Sequence, residues 1–195
     1  YERSRDWPQA ALIAQKLTAS KQGRFQARLG HYLCEKAATC LSKQQPQQAL
    51  AALREAVATA PESARPRLDL ARLLMVKGDP LAAYMTLVEA IDASPAAMPL
   101  IANPLADYAL SAGKTNDALQ LLRANYDVSP SLDVLDAIVL LEASSTEASP
   151  SARDWYVRHL EREPSLVAAA KWIAGEKLEH EQFHPQVQRA LDHAV

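Results

Sequence analysis

The residue types most able to do chemistry sit near the end of the chain, where His180-Glu181-Gln182-Phe183-His184 satisfies H-E-x-x-H. On a helix that spacing sets two imidazoles one turn apart to bind zinc, with the glutamate as general base. The surroundings oppose it. Pro185 disfavours helical geometry at His184, and only Asp192 and His193 remain downstream as a third ligand. The segment is read as a solvated turn between helices, and no metal is expected. Gly113-Lys114-Thr115 matches the end of a phosphate-binding loop, but Tyr108 stands where G-x-x-x-x-G-K-[ST] needs its first glycine. It too is read as a turn. Cys34 and Cys40 are six apart on one predicted helix, roughly 240° around it at ~100° per residue, so they face different sides and are expected as buried, unpaired thiols of a reducing compartment. His31 and Cys34, three apart, are read as a surface histidine beside a core cysteine. No Ser/His/Asp or Cys/His set emerges. The expectation is therefore no catalytic residue, no cofactor and no enzyme activity.

The elements that would position these residues are helical. Hydrophobic residues make up 49% of the 195 positions but aromatics only 6%, and glycine occurs five times. Small aliphatic side chains at that frequency, with no strand-length alternation, predict an all-α chain. Its organisation shows in Pro61, Pro95, Pro130 and Pro164, which follow one another at intervals of 34, 35 and 34 residues. Ala49, Ala83 and Ala118 keep the same register, each twelve residues before one of the first three prolines. Gly78 and Gly113 fall where a tight turn joins two helices, and Pro46 and Pro80 fall in the first turn of a second helix. The period is that of tetratricopeptide (TPR) helix pairs. It predicts an all-α, TPR-type right-handed superhelical solenoid over 1–195, in which alanines such as Ala71, Ala83, Ala90, Ala106 and Ala118 let helices cross closely. Leu70, Leu74, Leu87, Leu105 and Leu122 would fill the grooves beside them.

Helix pairs are placed at about 30–60, 64–94, 98–128, 132–163 and 165–195, after a lone helix near 6–20. The Ala10-to-Ala49 spacing of 39 residues puts extra residues around Ser20 to Phe25. Pro104 predicts either a kink or a late start to its helix. The chain opens on Tyr1 and on what reads as the second half of a repeat, so it is expected to be cut from a longer protein. The first helices of successive pairs should line a partner-binding groove, which puts His31, Cys34, Ala38, Leu68, Arg72, Met75, Asn103 and Asp107 on its surface. This lining suits an amphipathic protein partner. The Lys/Asn clamp with which TPR modules hold acidic chaperone tails is not found, since Cys34 and Ala38 take two of its places. A formal charge of −2 gives no basic footprint for nucleic acid. No apolar run is long enough to span a bilayer, and no direct membrane contact is expected.

One ordered set of motifs goes beyond the generic repeat. His31-Tyr32-Leu33-Cys34-Glu35-Lys36-Ala37, then Gln48-Ala49-Leu50, Ser63-Ala64-Arg65 and Met75-Val76-Lys77-Gly78 resemble the later repeats of the lipopolysaccharide assembly protein B family (LapB, also YciM). Trp7-Pro8-Gln9-Ala10, Ala112-Gly113-Lys114-Thr115 and the Leu160-to-Pro164 segment continue the likeness in order. The resemblance implies an inner-membrane-anchored protein whose repeats face the cytoplasm, with a rubredoxin-like domain beyond them. It implies an adaptor that regulates lipopolysaccharide biosynthesis by bringing the deacetylase LpxC to the protease FtsH. The expected location of the repeats is thus cytoplasmic, and the expected partners are LpxC and FtsH. The alternative is the repeat region of an N-acetylglucosaminyl glycosyltransferase-type protein whose catalytic part lies elsewhere.

Overall fold

The structure is a computed structural model that describes residues 3–20, 25–144, 152–174, 187, 189 and 192. The described residues are helical, with no strand among them. The chain divides into two compact units, Tyr1–Ile101 and Ala102–Val195.

The first unit contains α1 (Trp7–Ser20), α2 (Gln26–Ser42), α3 (Pro46–Thr59), α4 (Ala64–Val76) and α5 (Pro80–Ala93). A single 3-10 turn, Pro95–Ala97, then leads into α6 (Met98–Ala112), which runs through the boundary. Local chemistry sets these ends. Asp6 accepts from the Gln9 N–H at 3.3 Å at the start of α1, and Asp79 accepts from the Ala82 N–H at 3.1 Å ahead of Pro80 in α5. Both are carboxylate N-caps that satisfy an otherwise orphaned donor. One closure recurs between helices: Gln45 N–H to Cys40 O at 2.9 Å, Asp79 N–H to Leu74 O at 3.0 Å, and Lys114 N–H to Ala109 O at 2.8 Å. Such a bond reaches back past a left-handed residue. Gly78 (φ 80°) and Gly113 (φ 67°) supply that residue in two of the turns, and Gln44 (φ 59°) supplies it in the first. Arg67 donates to the Pro61 carbonyl and so ties α4 back to the α3–α4 turn.

Close approach governs the core of this unit. Ala49, Ala56, Ala71 and Ala83 are fully buried, as is Leu87. Where α2 begins, a Cβ placed on Gly30 would lie 2.8 Å from Ala60 Cβ. At that position the helix can carry nothing larger than hydrogen.

The second unit holds the remainder of α6, then α7 (Thr115–Val128), α8 (Leu132–Ala143), α9 (Ala152–Arg162) and α10 (Leu166–Ala174). Pro104 lies inside α6, which starts at Met98, so the late start allowed for in the sequence does not occur. The missing N–H leaves the Leu100 carbonyl without its usual helical partner. Ala106, Ala118, Leu105 and Leu122 are all fully buried. Two carboxylates on α8 join its neighbours. Glu142 accepts from Arg123 of α7 and from Trp155 Nε1 of α9, each at 2.6 Å. Asp136 accepts from the Tyr156 hydroxyl of α9 at 2.9 Å and from Lys171 of α10. Deeper in, His159 is buried and shares a 2.8 Å hydrogen bond with the Tyr126 hydroxyl through Nδ1.

Burial lowers the His159 pKa from its usual 6.5, against the opposing pull of Glu163 and Asp136, while Arg162 lowers it further. The sign follows from linkage: below about pH 6.5 the unfolded chain takes up a proton that the folded one resists. Stability supplied by the neutral ring is therefore lost as pH falls from there towards the lower folded value. Urea denaturation should show wild type weakening between about pH 7 and pH 5, and His159→Phe weakening less over the same interval. In the first unit, Leu87→Ala should cost ~2–5 kcal/mol by leaving a cavity. Ala83→Trp and Gly30→Ala should each cost ~1–3 kcal/mol by overpacking. Equal midpoints for all three and wild type in chemical denaturation would refute the assigned crossings.

Candidate partner-binding groove

α2 packs against both α3 and α4, and the open side of this arrangement is a hollow of about 330 Å3. Cys34, Ala37, Ala38 and Leu41 of α2 form one wall, and Arg65, Asp69, Arg72, Leu73 and Val76 of α4 form the other. Leu53 of α3 lies at the base. The spacing is helical on both sides: 34, 38, 41 and 65, 69, 72, 76 step by three or four residues and so share a face. Leu41 is 42% exposed and Val76 85%, which leaves a strip of aliphatic surface open to solvent.

One arginine bridges the two walls. Arg65 of α4 donates to His31 Nδ1 at 2.7 Å, pairs with Glu35 at 2.5 Å and lies 3.6 Å from Asp69. Arg72 reaches Asp69 from the next turn at 3.4 Å. Trp7 meets His31 edge-on and stacks near Tyr32, with centroids 6.1 and 6.2 Å apart, and so closes the His31 end. The Cys34 thiol is pushed up to about 11, first by burial and then by the negative charge of Asp69. At neutral pH it is therefore a protonated wall residue, not a nucleophile.

The residues expected to line a groove divide accordingly. Cys34, Ala38 and Arg72 line the hollow, and His31 adjoins it through Arg65. Leu68 is buried, and Met75 is half-buried outside the lining. Asn103 and Asp107 are exposed on the part of α6 belonging to the second unit. Leu41, Val76, Arg65 and Asp69 were not among the residues expected in the groove, although one more helical step from Ala38 and Arg72 reaches the first two. His180 and His184 lie outside the described residues. Among the described residues no three His, Cys, Asp or Glu side chains gather as a metal site requires, and no helix is long and apolar enough to cross a membrane.

A larger hollow of about 390 Å3 lies between α1 and α2, walled by Ala10, Ile13, Ala14, Leu17 and Tyr32 with Arg3 and Arg28 at its margin. Counting 39 residues on, the equivalents of Ala10 and Ile13 are Ala49 and Ala52 on α3, the helix that α2 packs against. Ile13 is 40% exposed and Ala52 only 2%. This hollow thus repeats a helix-packing trough of the fold.

Residues 41–94 match the family pattern described as a tetratricopeptide repeat. No curated protein matches the sequence at a significant level. Among solved structures, BtubC (BKLC) from P. vanneervenii is similar at 17% identity, covering 99% of this chain and 84% of that one with a TM-score of 0.58. MamA is similar at 16% identity, covering 89% and 94%, with a TM-score of 0.50. At such identities the likeness is one of fold, and the fold is an all-α solenoid of TPR type.

If Asp69 helps hold the Cys34 proton, Asp69→Asn should lower the thiol pKa. Alkylation of folded protein with iodoacetamide at about pH 8 should leave Cys34 unmodified in wild type and modify it faster in the variant. Peptide mass mapping reads both, and equal rates would separate Cys34 from Asp69.

Proposed function

We propose that the chain is a protein-binding adaptor module that holds a partner polypeptide in the groove between α2 and α4. Repeats of TPR type are in general non-catalytic scaffolds for protein partners, and stacked helix pairs offer extended surfaces suited to that use. The observation that carries the reading is the aliphatic strip of Ala38, Leu41 and Val76, left open beside an exposed Arg72. A surface of this kind gains free energy when a partner's apolar side chain removes it from water. An ion pair at its rim adds register.

The finer reading is a LapB-type adaptor of the inner-membrane surface that presents LpxC to FtsH. What supports it is the ordered set of motifs from Trp7 to Pro164, four of which, His31–Ala37, Gln48–Leu50, Ser63–Arg65 and Met75–Gly78, fall on or beside the helices that build the groove. Within this reading His31, Cys34, Ala38 and Arg72 form the partner surface of the first unit. Leu68 and Met75 support it from behind, and Asn103 and Asp107 supply polar contacts on α6.

Capture of purified LpxC and of FtsH on the immobilised chain tests both levels. Ala38→Trp, which fills the hollow, and Arg72→Glu should each weaken capture at least about tenfold, or ~1.4 kcal/mol. Val128→Ala, a change at an exposed residue of the second unit, should leave it unaltered. Undiminished capture by the two groove variants would remove the groove assignment, and no capture by wild type would remove LpxC and FtsH.

A further inference from the structure

The charges around the groove select among polypeptides, and this step rests on the reading of the groove as a partner site. At the hollow itself Arg65 and Arg72 stand against Glu35 and Asp69, and what differs between the two signs is how they are placed. Both acids are committed within the protein. Glu35 is held by Arg65, and Asp69 is shared by Arg65 and Arg72. Their side chains are also the more covered, at 26% and 27% exposed, against 47% for Arg65 and 65% for Arg72. Arg65 is anchored by three partners, whereas Arg72 has its one 3.4 Å ion pair and projects into solvent at the edge of the hollow. Past the hollow, exposed Lys43 and Lys77 cap the C-terminal ends of α2 and α4. The apolar strip is therefore bordered by Arg72, Lys43 and Lys77, while Glu35 and Asp69 are the more covered partners of the arginines.

We infer that the groove takes an acidic amphipathic segment of its partner, with an aliphatic side chain seated between Ala38, Leu41 and Val76 and a carboxylate paired with Arg72. The guanidinium gives up a long contact to Asp69 and gains a charge-assisted one, while Asp69 keeps Arg65. A basic segment would meet Arg72, Lys43 and Lys77, with Glu35 and Asp69 already paired to arginine.

Three synthetic helical peptides test this on the full chain by fluorescence anisotropy. One has leucine along one face flanked by glutamate, the second has lysine in place of each glutamate, and the third has serine in place of each leucine. Wild type should bind the leucine–glutamate peptide at least about tenfold more tightly than either other peptide. Raising salt from about 0.05 M to about 0.5 M should shrink that margin by screening. Arg72→Glu should reverse the preference between glutamate and lysine, and Ala38→Trp should weaken both leucine peptides. Equal binding of the glutamate and lysine peptides to wild type, or a preference untouched by Arg72→Glu, overturns the inference. If Ala38→Trp still abolishes capture of LpxC or FtsH in that case, the groove stands and only its charge selectivity falls. If Ala38→Trp spares both capture and peptide binding, the groove itself falls.

Discussion

Helix backbones in this chain pass so close together that their crossing points have room for little beyond a methyl group, and much else follows from that spacing. Gly30 against Ala60 is the extreme case, with a 2.8 Å separation awaiting any Cβ. Ala49, Ala71, Ala83, Ala106 and Ala118 are the ordinary one, each fully buried. Close crossings leave little volume inside a helix pair, so the larger side chains, Leu53 and Leu87 among them, fill the space between elements. Packing of this kind is cumulative from neighbour to neighbour, which suits a repeat whose members cannot bury an apolar face alone.

The same constraint produces the groove. With α2 held against α3 and α4, the outward faces of α2 and α4 stand side by side, separated by the width of small residues at Ala37 and Ala38. Two bulkier residues there would close the hollow. Arg65 then spans the gap to His31 and Glu35, and fixes the spacing of walls that the apolar contacts alone would leave free to slide. Glu35 is taken up by Arg65 across the gap and Asp69 by Arg65 and Arg72 within α4, and the most exposed of these charges is that of Arg72. The pairing of Glu35 and Asp69 within the protein and the outward placing of Arg72 are thus two sides of one arrangement.

Polar groups do a different job in the second unit. Glu142 and Asp136 on α8 each accept from two partners, and His159 meets Tyr126 away from water. A buried carboxylate with two donors is costly to separate from them, so these bonds set the register of α7, α9 and α10 on α8 where aliphatic contacts are less selective. The acid sensitivity expected of His159 is a by-product of this choice.

The helical class and the turns at Gly78 and Gly113 were determined by the sequence itself, because prolines, turn glycines and crossing alanines act within a few residues of where they stand. Gln44 shows the limit of that locality: it adopts the left-handed turn conformation that Gly78 and Gly113 announce openly, and nothing in its side chain says so. Which groove candidates face outward was decided only in three dimensions. Leu68 and Arg72 stand one helical turn apart on α4, yet Leu68 turns into the core and Arg72 projects. Rotation of a helix about its axis depends on what packs behind it, and so do the bonds between residues some thirty positions apart, Arg65 to His31 and Tyr126 to His159. Periodicity constrains where a helix lies in the chain; contact with its neighbours selects the face it shows.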